Sequence, residues 1–150
     1  MEKIESNIIF DSQRGLQIPA KGTKDIEIKN NIFYRLNHVN PDDDNTYASF
    51  VYQSSNITVA NNTYVDIPTN SKNIGIFFKF YNTSDGKFID NIAIFSSGAS
   101  DNKNNTVDNN YFYNTSNIHL NGTNDHVFEA EMSDYTFTCE RFTKTPKQKN

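Results

Sequence analysis

Apolar residues alternate in short bursts along this 150-residue chain, and most bursts are bounded by asparagine or aspartate. In Asp25-Ile26-Glu27-Ile28-Lys29-Asn30-Asn31-Ile32-Phe33, two apolar residues two apart precede an asparagine pair, one further residue and an aromatic. The phrase returns at residues 56–64 and 104–112. Period-two alternation marks a strand with one buried face. After each asparagine pair the phase slips by one, because the next large residue is Phe33, Tyr64 or Phe112. On a straight strand that slip would turn the aromatic outward. It stays inside if the chain bends at the pair, and asparagine is the non-glycine residue best able to take the left-handed conformation a bend needs. Each copy is predicted as strand, corner, strand. Tyr34, Tyr111 and Tyr113 then lie on outer faces.

Looser copies keep only the front half, a polar Asn or Asp followed by apolar, any residue, apolar. With them, copies begin at residues 7, 25, 56, 73, 91, 104, 117 and 134, spaced by 18, 31, 17, 18, 13, 13 and 17. The Asn-Gly turns of tight hairpins are scarce. Spacing near 17–18 predicts one turn of a coil per copy, with equivalent strands stacked in parallel, and the short spacings make copies 91 and 104 two sides of one coil. Seven or eight such coils form a rod of about 35–40 Å. The long excursion from Asn37 to Tyr52 and a Gly/Ser/Asn-rich one from Ser96 to Lys103 read as loops. Residues 143–150 are polar and basic and read as a flexible tail, which leaves 1–142 for the coils. The pattern starts near Met1 with no amphipathic helix ahead of it, so the open coil edges are expected to be covered by a missing segment or a neighbouring chain.

Composition narrows the classes. Asparagine occurs 23 times, apolar residues make 35% and aromatics 13%, which disfavours helix and suits strands. The length bounds one domain or a piece of a larger one. A formal charge of −4 with mixed signs provides no basic surface for nucleic acid. No apolar run approaches the ~18 residues of a membrane span, and the first residues lack a signal peptide's apolar core. The lone Cys139 makes no internal disulfide.

The phrase apolar-x-apolar-x-Asn-Asn-x-aromatic, seen from about Ile4 to Phe137, resembles the repeat of right-handed parallel β-helix proteins. These form the pectate-lyase-like superfamily of polysaccharide lyases, polygalacturonases and phage tailspikes. The resemblance implies an all-β right-handed solenoid of about seven coils without caps of its own. It also implies that Asn30, Asn31, Asn61, Asn62, Asn109 and Asn110 stack coil on coil in a hydrogen-bonded ladder. By the same resemblance the chain is expected to be a glycan-recognition or structural module of a phage tail spike, baseplate or other surface assembly. Its setting would be a virion or cell surface, and a homotrimer is one arrangement the resemblance allows. The alternative is a polysaccharide-degrading lyase or hydrolase.

Candidate chemistry is sparse. Asp42, Asp43 and Asp44 sit in the long excursion beside His38, with Arg35 at its start and Tyr47 at its end. Adjacent carboxylates suit calcium or acid–base work on a sugar, and the same residues are ordinary solvated turn chemistry. The Gly-His-Gly element of the polygalacturonase side is absent, and Arg14, Arg35 and Arg141 carry no local signature of a lyase base. Outward aromatics stack on sugar rings, so Tyr34, Arg35, His38, Tyr47, Tyr111 and Tyr113 form the expected glycan-binding set, with tyrosines packed under loops or on a neighbour as the plain alternative. His119 and Asp125-His126 lack a third ligand at metal spacing, and no metal or other cofactor is expected apart from calcium at the acidic loop.

Overall fold

The structure is a computed structural model that describes residues 1–19, 21–36, 47–67 and 76–128. These residues form sixteen strands and no helix, so none of their elements is a helix long and apolar enough to cross a membrane. Numbered in chain order, the first sheet stacks β1 (Glu2–Glu5), β4 (Lys24–Lys29), β7 (Ser55–Ala60), β10 (Lys87–Ile89) and β13 (Thr106–Asp108). The second stacks β2 (Ile8–Phe10), β5 (Ile32–Tyr34), β8 (Thr63–Val65), β11 (Ile92–Ile94), β14 (Tyr111–Tyr113) and β16 (His126–Phe128). The third stacks β3 (Leu16–Ile18), β6 (Tyr47–Tyr52), β9 (Ile76–Tyr81), β12 (Ser97–Asp101) and β15 (Ser116–His119). Every pairing is parallel. The chain visits the three sheets in turn and returns one strand further along, an arrangement compatible with a parallel β-helix. The described residues hold five complete circuits, here called coils, and part of a sixth. The copy expected at Asp134, the one at Asn73 and the 143–150 tail lie outside them.

Local stereochemistry explains the asparagine content. Among the described residues eighteen non-glycine positions have positive φ, of which nine are Asn and five Asp. These types tolerate the left-handed region at the least cost. The corner between the first and second sheets is built from one such residue per coil: Ser6, Asn30, Asn61, Asp90, Asn109 and Asn124, with φ from 53° to 61°. One left-handed residue flanked by strands reverses the expected facing of the next residue, which is why Ile28, Phe33, Val59, Tyr64, Val107 and Phe112 are all buried. Replacing Asn61 (φ 54°) by glycine is expected to leave stability within a few tenths of a kcal/mol, while valine lowers it by about 1–2 kcal/mol; urea unfolding of the two variants checks this.

The residue after each corner forms the ladder. Asn7, Asn31, Asn62, Asn91 and Asn110 each donate from backbone N and side-chain Nδ2 to the Oδ1 of the next member, at 2.8–3.1 Å, and the last acceptor among the described residues is Asp125. From Asn31 onward, each asparagine Nδ2 also donates to a backbone carbonyl one coil back: those of Ile4, Ile28, Val59 and Phe88. This corrects the expectation that both asparagines of each pair enter the ladder. Asn30, Asn61 and Asn109 make the bend instead, their side chains turned to the surface, where Asn109 Nδ2 donates to Asp90 Oδ1 at 2.7 Å.

Ladder members also correct the expected 17–18 spacing. Successive members are 24, 31, 29, 19 and 15 residues apart. The length varies largely in one place, the connection from the second sheet to the third. It runs over residues 35–46 between β5 and β6 and over 66–75 between β8 and β9, but over only two residues between β11 and β12. The loose copies misled because Asn7 and Asn91 are ladder residues opening strands of the second sheet. There the middle residue, Ile9 or Ala93, packs on the core, and the alternating pair faces out. Ile8 and Phe10 are accordingly exposed. The excursion expected from Ser96 to Lys103 is mostly strand, β12.

Inward residues of all three sheets meet in a single core. Phe33 and Tyr64 stack along the coil axis at 5.0 Å, and Phe78 stacks on Phe88 across it at 3.8 Å. Small inner residues alternate with large ones: Ala93 lies between Tyr64 and Phe112, and Phe77 approaches both of those rings at 5.3 and 6.3 Å. Tyr64 keeps its hydroxyl satisfied by Ser49 Oγ at 3.0 Å, and complete burial pushes that phenol's pKa well up.

Candidate functional site

Outer faces differ in character. The first sheet is polar outside: Lys29 lies between Glu27 (3.2 Å) and Glu5 (3.6 Å), and the hydrogen bond to Glu27 raises its pKa. Such exposed pairs add little stability. The second sheet turns two largely apolar columns outward, and one runs Phe10, Tyr34, Val65, Ile94, Tyr113 in register. Its centre is already packed, with Val65, Ile94 and Tyr113 only 1%, 5% and 8% exposed. Burial pushes the Tyr113 phenol pKa up, with a smaller contribution from Tyr111.

The third sheet carries the most site-like surface. In β6 and β9 two consecutive residues, Ala48-Ser49 and Phe77-Phe78, pack on the core, after which strict alternation resumes. That pattern sends Phe50 and Tyr52 outward from β6, and Lys79 and Tyr81 from β9. Registry sets them side by side, Phe50 against Lys79 and Tyr52 against Tyr81. Tyr52 and Tyr81 stack at 5.4 Å with 10° between planes. Phe50 is tilted against Tyr47 at 5.3 Å and against Tyr52 at 5.9 Å. Lys79 Nζ sits 5.2 Å from the Tyr81 ring centre and 5.7 Å from that of Phe50. Cation–π attraction holds the ammonium in the middle of the platform, and Lys79 has no carboxylate partner among the described residues. Gln17, one coil back, accepts the Tyr47 hydroxyl and lies in register with Phe50; Ser100 and His119 continue the column past Lys79.

Four rings, a central ammonium and flanking amide, hydroxyl and imidazole groups form a half-exposed strip crossing the coils. Half-exposed aromatic rings suit the apolar faces of sugar rings, and the polar groups suit hydroxyls. Nothing in the strip supplies a paired acid and base, and no group of three or more His, Cys, Asp or Glu able to hold a metal occurs among the described residues.

The residues singled out from sequence are divided by the fold. Tyr47 belongs to the platform. Tyr34, Arg35, Tyr111 and Tyr113 lie at the second sheet, away from it. Arg35 is paired with Asp11 at 3.1 Å and rests 5.8 Å over the Tyr34 ring, and Tyr111 stacks on His126 at 4.7 Å. Tyr113 is buried, which removes it from any ligand-contact set. His119 and His126 fall on different sheets. His38, Asp42, Asp43 and Asp44 lie outside the described residues. Sequence reading missed Phe50, Tyr52, Lys79 and Tyr81, since the third sheet has no asparagine pair to flag its strands. The available signal was aromatic-x-aromatic near a strand end, Phe50-Val51-Tyr52 and Phe78-Lys79-Phe80-Tyr81.

Comparison with protein-family models, curated proteins and solved structures finds no match to this chain.

Proposed function

We propose that this chain is a right-handed parallel β-helix module of the pectate-lyase-like kind that binds polysaccharide along the outer face of its third sheet. The observation that carries the reading is the Tyr47, Phe50, Tyr52, Tyr81 platform around the Lys79 ammonium, which has no carboxylate partner among the described residues. Aromatic rings left half-exposed on a sheet whose core is already filled have no packing task that requires them. A repeating coil surface presents such rings at about 4.8 Å intervals, which suits an extended polymer better than a compact ligand. Asparagine-built corners and stacked short strands support the superfamily reading, and that reading supports a place in a virion or extracellular surface assembly such as a tail spike, with neighbouring chains as partners.

The test is affinity electrophoresis through gels containing bacterial surface polysaccharides and pectins. Retardation by at least one polymer is expected. Phe50→Ala and Tyr81→Ala are each expected to weaken it about tenfold, from loss of about 1–1.5 kcal/mol of ring contact. Tyr34→Ala, on the second sheet, should leave it unchanged. Equal loss in all three variants, or retardation indifferent to Phe50 and Tyr81, would remove the third sheet from the reading. Polymer length is followed in the same samples, and shortening would reassign the module to polysaccharide cleavage.

A further inference from the structure

Charge is spread unevenly over the sheets. The strands of the first sheet carry Glu2, Glu5, Asp25, Glu27 and Asp108. Those of the third carry a single carboxylate, Asp101, although the chain as a whole has a formal charge of −4. Asp101 does not serve the outward strip. It lies in register with the buried Phe80, and its carboxylate is taken up by the following turn, accepting Lys103 N at 3.0 Å and Asn105 Nδ2 at 2.8 Å. The strip is thus the part of an acidic protein from which carboxylates are missing among the described residues. One ammonium, Lys79, stands at its middle, held between the Phe50 and Tyr81 rings and not by an ion pair.

The order of groups along the strip is uneven as well. Strand by strand along the coil axis, the outward column runs Gln17, Phe50, Lys79, Ser100, His119: an amide, a ring, an ammonium, a hydroxyl and an imidazole. Neighbouring strands are about 4.8 Å apart, close to the length of one sugar in an extended chain. Over Phe50, and over Tyr52 and Tyr81 beside the column, a sugar has to present C–H groups, because a ring face is the negative side of the aromatic quadrupole and repels an anion. At Lys79 the reverse holds. An oxyanion there meets a positive charge on a half-buried side chain, where water screens the attraction less. Ser100 follows with a hydroxyl only, and the next N–H donor in the column is the His119 imidazole, two strands or about 10 Å beyond Lys79.

Resting on the platform reading above, we propose that the strip selects a polysaccharide bearing an oxyanion, carboxylate or sulfate, on about every second sugar, and that Lys79 is the residue that reads it. Uncharged sugars take the ring positions, and acidic sugars take the ammonium and imidazole positions. A neutral polymer would cover the Lys79 ammonium and give it no partner, which costs binding energy. A polymer charged on every sugar would press an anion onto the Phe50 ring face. The same column therefore discriminates in both directions. Single-stranded nucleic acid, charged at every unit, falls with the second class.

Biolayer interferometry on immobilised polymers of known charge spacing tests this, at low ionic strength where an exposed charge contact is least screened. Hyaluronan has a carboxylate and κ-carrageenan a sulfate on every second sugar, and polygalacturonate has a carboxylate on every sugar. Carboxyl-reduced hyaluronan and agarose are the neutral counterparts of the first two. The chain is expected to bind hyaluronan or κ-carrageenan about tenfold more tightly than the neutral counterpart and than polygalacturonate, and the polymer preferred tells carboxylate from sulfate. Lys79→Gln should erase that preference and leave the weaker binding of a neutral polymer, while Lys79→Arg, which retains the charge, should keep it. Equal binding of acidic and neutral polymers, strongest binding to polygalacturonate, or a preference that survives in a folded Lys79→Gln chain overturns the proposal. If Phe50→Ala still weakens binding in those samples, the platform reading stands without it. Binding to none of the polymers, or binding indifferent to Phe50 and Tyr81, overturns both.

Discussion

Phe78→Ala is expected to lower the unfolding free energy by about 3–5 kcal/mol, among the largest losses a single substitution produces here. Phe78 is fully buried, stacks on Phe88 at 3.8 Å and meets Phe80 edge-on at 4.7 Å. Its register neighbours in the third sheet are Ser49 on one side and Ala99 on the other. Alanine would place three small inner residues in succession in one column, and the ring's volume would become a void crossing three coils. Parallel strands locked in register by the ladder cannot close inward to fill it, which puts the site near the upper end of the range for aromatic truncation. A domain of this size has about 5–15 kcal/mol in total, so the variant is expected to unfold at markedly lower urea, with an unchanged slope if it remains two-state. Phe50→Ala, an aromatic from the outward face of the neighbouring strand, should shift the midpoint far less. Equal losses at the two positions would contradict the inside–outside assignment of the third sheet.

Most of the architecture was readable from three copies of one phrase, because the corner is a local event. Asn30, Asn61 and Asn109 had to bend if Phe33, Tyr64 and Phe112 were to be inside, and they do. The other corner doublets, Ser6-Asn7, Asp90-Asn91 and Asn124-Asp125, were overlooked for a physical reason. The bend accepts any residue that tolerates positive φ, and the rung that follows Asn110 accepts a carboxylate, so neither position demands asparagine. Facing was the second difficulty. Ile92 and Ile94 alternate as Ile57 and Val59 do, yet Ala93 between them packs on the core and they face out, because the second sheet is apolar on both sides. Period two identifies a strand but not which of its faces is buried when both are apolar. Of the expected contact residues, Tyr47 alone joins the platform. Its companions Phe50, Tyr52, Lys79 and Tyr81 come together only through parallel registry between strands β6 and β9, a relation that a linear reading without the true coil lengths of 31 and 29 residues cannot supply.

Asn62→Ala is expected to destabilise the chain by about 2–4 kcal/mol, far more than a surface amide would. The side chain is 1% exposed and makes every bond its amide allows. Its Oδ1 accepts Asn31 N and Asn31 Nδ2, both at 3.0 Å, and its Nδ2 donates to Ile28 O at 2.9 Å and to Asn91 Oδ1 at 3.1 Å. Truncation takes a partner from two donors, Asn31 N and Asn31 Nδ2, and from two acceptors, Ile28 O and Asn91 Oδ1, in a place water does not reach. The penalty of unpaired buried groups, not the modest net worth of the bonds, decides the size of the loss. Asn62→Asp separates the two contributions. It keeps the acceptor for Asn31 but turns an oxygen toward Ile28 O and Asn91 Oδ1 and buries a charge, so at neutral pH it should be worse than alanine. Further along the same ladder a carboxylate takes one rung, Asp125, whose Oδ1 accepts Asn110 N at 2.8 Å and Asn110 Nδ2 at 3.0 Å. Urea unfolding of the two Asn62 variants beside Asp125→Asn therefore compares one chemical exchange at two rungs of the column. Asparagine-to-aspartate should be severe at Asn62, and aspartate-to-asparagine should be tolerated by the fold at Asp125, where Oδ1 is kept for Asn110. Comparable losses in the two places would mean that the column's direction has no energetic meaning.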